Sequence, residues 1–197
     1  MSKSYPKFFR KVSLGLLGIL LLTSCAYRLG SPDRSLPGGY RQVYVPVFKN
    51  KAIEPGIEVA FTNSLIQEFE RAKIGRVTDI NQAEVLVEGV IDSVSYPKSG
   101  ADLSGDDNST NLPLGTVLAT GYQILVQATV TLRRSSDKTV LWSGSFYGER
   151  TYSAPQVTTA GINTVNPLYN LSARRQNIEL IAAEMMSEAH DRMTENF

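Results

Sequence analysis

Apolar and polar residues alternate almost without interruption from Tyr122 to Arg133. Tyr122, Ile124, Val126, Ala128, Val130 and Leu132 fall on one face, and Gln123, Leu125, Gln127, Thr129, Thr131 and Arg133 on the other. A period of two with one apolar face predicts an antiparallel strand covered on one side only. Arg134-Ser135-Ser136-Asp137-Lys138 reads as a turn. Thr139 to Tyr152 then returns, with Val140, Trp142, Phe146 and Tyr152 facing one way, which completes a long hairpin. Glu84 to Tyr96 predicts another long strand, with Val85, Val87 and Ile91 on its apolar face. Arg41 to Phe48 predicts a first strand with Val43, Val45 and Val47 on one face. Pro46 has no N–H to give and places this strand at an edge or leaves it paired on one side there. Arg76 to Asp79 suggests a short strand.

Two stretches change period. Ile57, Phe61, Leu65 and Phe69 recur every fourth residue behind the Pro55-Gly56 break, the stripe of an amphipathic helix ending near Lys73–Gly75. Leu171, Ile178, Ile181, Ala182, Met185 and Ala189 mark a second helix, from Pro167–Ser172 to about Thr194. The order is strand, helix, strands, helix. It predicts an α+β fold in which two helices pack on one face of a mostly antiparallel four-stranded sheet. The strand–helix–strand start makes one parallel pair by a crossover. Phe61, Phe69, Ile124, Val126, Trp142 and Phe146 are the expected core. Residues 99–115 form a polar loop rich in Gly, Asp, Asn and Ser.

The first residues follow a different logic. Lys3, Lys7, Arg10 and Lys11 precede an apolar run from Val12 to Leu22, too short to span a bilayer and of the length of a secretory leader. The run ends in Leu22-Thr23-Ser24-Cys25, which resembles the bacterial lipobox. Residues 1–24 therefore read as a signal peptide, and Cys25 as the lipidated first residue of the mature chain. Residues 25–40, punctuated by Gly30, Pro32, Pro37, Gly38 and Gly39, read as a tether to a single domain over 41–197. Ala26, rather than Asp, follows the cysteine, which favours the outer membrane, facing the periplasm. The leader holds four basic and no acidic groups, so its removal takes the formal charge from +1 to −3. Nucleic acid, which asks for a clustered basic surface, is a poor partner for such a chain.

Catalytic machinery is sparse. Cys25 is the only cysteine and His190 the only histidine. His190 stands among Glu188, Asp191 and Arg192, and a solvated position is expected. No set of residues has metal-ligand spacing, no loop has phosphate-binding spacing, and no cofactor is implied. Asp102, Asp106, Asp107 and Asn108 lack the closing acidic ligand of a calcium loop. Glu84, Glu88 and Asp92 share a strand face. That row keeps a carboxylate-only, lipid-anchored periplasmic enzyme open, beside the plainer reading of a solvated sheet face.

Cys25-Ala26-Tyr27-Arg28-Leu29 is similar to the mature start of the lipopolysaccharide-assembly lipoproteins of the LptE family. Val43-Tyr44-Val45-Pro46-Val47-Phe48-Lys49-Asn50, followed by Glu54-Pro55-Gly56-Ile57-Glu58, looks like that family's first strand and helix entry. Ala26 in place of the usual Gly and the loop at 99–115 depart from its pattern. The resemblance implies a non-enzymatic plug for the outer-membrane β-barrel LptD, delivering lipopolysaccharide to the cell surface. An accessory lipoprotein of another outer-membrane complex, such as a secretin pilot or a barrel-assembly component, is the alternative. The family's contact with lipopolysaccharide through basic residues draws notice to Arg133, Arg134 and Lys138 in the hairpin turn. Lipid A carries phosphates, which Arg grips in bidentate fashion and Lys as a point charge. Asp137 in the same turn offers these cations a simpler partner.

Overall fold

The computed structural model describes residues 34–99, 103–104, 117–118, 121–153 and 167–195. The strands are β1 (Gln42–Tyr44), β2 (Lys49–Asn50), β3 (Arg76–Val77), β4 (Val85–Ser95), β5 (Lys98–Ser99), β6 (Leu103–Ser104), β7 (Val117–Leu118), β8 (Gly121–Arg134) and β9 (Val140–Ser153). The helices are α1 (Ile57–Ala72), between β2 and β3, and α2 (Pro167–Thr194), after β9. The leader and Cys25 lie outside the described residues, as does most of the polar loop. Of that loop, β6 is described, paired with β7 in a small sheet of its own.

The α+β class holds, but the sheet is mixed rather than a mostly antiparallel set of four. β3, β1, β4 and β8 lie side by side, and β9 closes the far edge. β1 runs parallel to both β3 and β4, β2 continues β1 along β4, and β5 continues β4 along β8. Only β4–β8, β5–β8 and β8–β9 are antiparallel in this sheet. The expected parallel pair is present as β1 with β3, the short strand expected at Arg76; β2, two residues long, shows no period to read.

Three one-residue irregularities explain where the alternation misleads. Val43 pairs with Val85 and Tyr44 with Leu86, yet Lys49 pairs with Val90. One extra residue therefore lies between β1 and β2, at the segment containing Pro46. Such an insertion flips every later side chain to the opposite face. Val47, expected inside, is 64% exposed, and Phe48 takes its place in the core. The Phe48 N–H donates to Thr62 Oγ1 at 3.0 Å, and that hydroxyl donates to Glu58 O. The Phe48 N–H is thereby paired despite the slip. Phe48 fits because residue 89 is glycine: a Cβ there would lie 2.1 Å from its ring.

A second irregularity lies between Ile91 and Ser93 of β4. It makes Asp92 the extra residue and turns Val94 and Tyr96 toward the core. The third separates the Leu132–Trp142 pair from the Arg133–Val140 pair. Leu141 is the extra residue, and Val140, expected inside, is 48% exposed.

The apolar face of the sheet and both helices enclose one core. Phe61, Leu65 and Phe69 of α1 are fully buried, as are Val85, Val87, Ile91, Ile124, Val126, Ala128, Val130 and Leu132 of the sheet. From α2 come Ile178, Ile181, Ala182, Met185, Met186, Ala189 and Met193, while Leu171, expected in that stripe, is exposed. Phe146 is buried, but Trp142 is only partly so and packs against its ring, centroids 6.1 Å apart. Gly148 lets α2 approach β9: a Cβ there would meet Ile181 and Met185 at 2.5 Å. Leu36, in the segment read as tether, is also fully buried.

Phe61→Ala should cost about 3–5 kcal/mol, the range for a buried aromatic truncated to a cavity. Trp142→Ala should cost less, because its ring already meets solvent. Gly89→Ala should destabilise by displacing Phe48. Urea unfolding of the three variants checks the order; a Trp142 loss larger than the Phe61 loss would contradict this core.

Candidate functional site

Both described helices cover the same face, so among the described residues the other face of β4, β8 and β9 is open. Pairing places Thr129 opposite Ser145, Thr131 opposite Ser143, Gln127 opposite Tyr147 and Leu125 opposite Glu149. The hydroxyls link across the strands, Thr129 to Ser145 at 3.3 Å and Thr131 to Ser143 at 3.1 Å. The expected polar face of Gln123, Gln127, Thr129, Thr131 and Ser145 is thus one surface, with the exposed Tyr147 ring upon it. β9 pairs with β8 on one side only.

At the hairpin end, the three cations differ. Arg133 Nε donates to Glu88 Oε2 at 3.0 Å and its terminal N–H to Lys138 O at 3.3 Å. Arg134 Nε donates to Tyr40 Oη at 2.8 Å, and its terminal N–H to Asp137 Oδ2 at 2.9 Å. That hydrogen bond and the Asp137 carboxylate hold the Arg134 guanidinium above its usual range. Asp137 is held below the ordinary carboxylate range, mainly by its bonds to Thr139. Lys138 takes a left-handed conformation, φ 59°, with an exposed side chain and no ion pair among the described residues. Two of the three expected contact residues therefore brace the turn, and Lys138 is the one displayed.

The carboxylate row is spoken for by structure. Glu84 Oε2 accepts the backbone N–H of Arg41 at 2.8 Å and of Gln42 at 3.1 Å, which pins the entry of β1 and lowers its pKa. Glu88 holds Arg133. Asp92, the extra residue of β4, accepts from Thr129 Oγ1 at 2.7 Å and Lys51 Nζ at 2.9 Å, and its pKa is lowered by those bonds. Carboxylates stabilised as anions are poor proton donors. No cluster of His, Cys, Asp and Glu suited to a metal occurs among the described residues. Asp102, Asp106, Asp107 and Asn108 lie outside them.

His190, expected at the surface, is 1% exposed. It stands edge-on to Phe69 with centroids 4.9 Å apart, between α1 and α2. Its Nε2 is buried without a partner, and Nδ1 lies 3.8 Å from Asp191 Oδ1. Burial pushes its pKa down, against the smaller upward pull of Asp191 and Glu68. Its position, one residue after Ala189 and four after Met186, continues the apolar stripe; periodicity carries this signal, and the acidic neighbours obscure it.

The lipopolysaccharide-assembly family model, LptE, matches residues 40–196. The chain belongs to the LptE family. No match is found among curated proteins. Among solved structures, a PelC dodecamer from Paraburkholderia phytofirmans is similar at 14% identity and TM-score 0.47, covering 84% of this chain and 96% of that one. The hypothetical protein CT253 from Chlamydia trachomatis is similar at 8% identity and TM-score 0.49, covering 79% and 96%. A putative lipoprotein from Caulobacter crescentus CB15 is similar at 11% identity and TM-score 0.43, covering 75% and 88%. As an LptE-family protein, the chain has its helices, mixed sheet and long hairpin within the matched span. Among the described residues, no helix is long and apolar enough to cross a membrane.

The His190 environment makes stability depend on pH. The unfolded histidine titrates near 6.5 and the folded one lower. As pH falls below about 6.5, the unfolded chain takes up a proton that the folded chain resists. Stability is therefore full above 6.5 and declines with acidification toward the folded pKa. Urea unfolding between about pH 5 and 8 should show this decline, and His190→Phe should flatten it. An unchanged slope in the variant would contradict the assignment.

Proposed function

We propose that this LptE-family protein is an outer-membrane lipoprotein, lipidated at Cys25, that seats within the LptD β-barrel and supports its assembly for lipopolysaccharide export. The observation that carries the reading is the family match across 40–196, nearly the whole mature chain. The open sheet face supports it. Large outer-membrane barrels have polar lumens, and a hydroxyl- and amide-rich surface can exchange water contacts for wall contacts at little desolvation cost. The leader and lipobox support the anchor, and Ala26 supports the outer membrane.

Lipopolysaccharide is the proposed cargo, and the hairpin turn its contact. Lys138 is the residue best placed to meet a lipid A phosphate; Arg133 and Arg134 would have to exchange Glu88 and Asp137 for it.

Depletion of the protein should lower the amount of assembled LptD and admit large antibiotics, and the parent gene should restore both. Lys138→Gln should also restore them, with purified protein binding lipopolysaccharide several-fold more weakly at low salt. Replacing Arg133 and Arg134 as well should reduce stability, because both brace the turn. Normal LptD levels after full depletion would overturn the reading. Undiminished lipopolysaccharide binding by the Lys138 variant would remove the turn from it.

A further inference from the structure

Four cations meet in a cleft that the chain's periodicity does not announce. Arg34, Arg41, Lys73 and Arg76 line a cavity of about 530 Å³ beside the ring of Tyr40, and all four are exposed. The fold brings them together. Arg41 directly precedes β1 and Arg76 opens β3, and the Arg76 N–H donates to Arg41 O at 2.7 Å. Lys73 ends α1 in a left-handed conformation, φ 56°, which turns the chain from the helix toward β3. Among the described residues, no carboxylate lines the cavity. Asp191 holds Arg34 at 2.8 Å from outside it. Glu84 is engaged by the Arg41 and Gln42 amides, and Glu70 belongs to the adjoining groove. Arg41, Lys73 and Arg76 have no ion pair among the described residues. This concentration of positive charge belongs to a mature chain of net charge −3 once the four leader cations are removed from +1.

The position along the chain identifies the source of the anion. Residues 26–33 alone separate Cys25 from Arg34. Even fully extended at ~3.3–3.6 Å per residue, they reach about 30 Å. Resting on the reading that Cys25 carries the membrane anchor, we propose that this cleft binds the phosphate headgroups of anionic phospholipid in the anchoring leaflet. The guanidinium groups of Arg41 and Arg76 supply paired donors to phosphate oxygens and Lys73 supplies a point charge. The tether alone limits distance; the cleft would fix which side of the domain faces the bilayer. A cation near an anionic surface strengthens binding about fivefold, so three together give about a hundredfold.

The test uses the mature chain made without its leader, whose described core lies within 34–195. Its flotation with vesicles of phosphatidylcholine plus phosphatidylglycerol is compared with phosphatidylcholine alone. Binding only to the anionic vesicles, lost with added salt, is expected. Arg41→Gln, Lys73→Gln and Arg76→Gln combined should weaken it about a hundredfold with an unchanged thermal melt. Lys138→Gln should leave it intact. Equal binding by the triple variant, or no binding by the parent, would overturn the proposal. A response to inorganic phosphate without vesicle binding would also overturn it, leaving a free-anion pocket. Intact mass of the full chain extracted from cells tests the anchor separately. Unmodified Cys25 would refute the anchor and the membrane orientation built on it, whereas headgroup binding is read from the vesicles alone.

Discussion

The structure depends on one asymmetry: among the described residues, the sheet is covered on a single face. α1 and α2 both lie on that face, and the core between them and the sheet is continuous from Leu36 to Met193. Burial at roughly 25 cal/mol per Å² of apolar surface is the main stabilising term, so the inner positions of β4 and β8 tolerate little besides aliphatic side chains. The outer positions then carry whatever the protein presents. The Thr–Ser pairs, the glutamines and the charged hairpin end all follow from that division. So does Gly148, since helix and strand can pack this closely only without a side chain between them.

The long elements were legible in the sequence because their periods are long enough to count. β8, β9, α1 and α2 lie within a residue or two of the positions predicted by alternation and by the four-residue stripe. The failures are local and share one cause. A single inserted residue reverses the face of everything after it, and composition does not mark the insertion. Val47 and Val140 were expected inside for this reason, and Phe48 and Val94 went unassigned to the core. The short strand at Arg76 and one parallel pair across the first helix were legible, whereas β2 and the second parallel pairing of β1, with β4, were hidden by shortness.

The candidate sites were legible in proportion to how local they are. The hairpin cations are close in sequence, so their proximity was evident, but their partners are not. Glu88, on β4, and Tyr40, before β1, are distant in sequence and convert two apparent contact residues into braces. The partners of the carboxylate row were hidden for the same reason: each member meets donors supplied by tertiary structure. The cationic cleft could not be read at all, because Arg34, Arg41, Lys73 and Arg76 converge only through the β1–β3 pairing and the turn at Lys73. His190 was misplaced because its charged neighbours in sequence obscure that it continues the apolar stripe of Met186 and Ala189.

The proposed function makes one central claim, that the outer face of β8 and β9 meets the wall of the LptD barrel; membership of the LptE family and the polar face support it. Photo-crosslinking in living cells tests it most directly. A photoreactive amino acid replaces Tyr147 on the open sheet face or Glu179 on α2, both exposed. The account expects the adduct at position 147 to contain LptD in high yield. A strong LptD adduct from position 179 with none from position 147 would contradict it, and would mean that the helices, not the sheet, face the barrel.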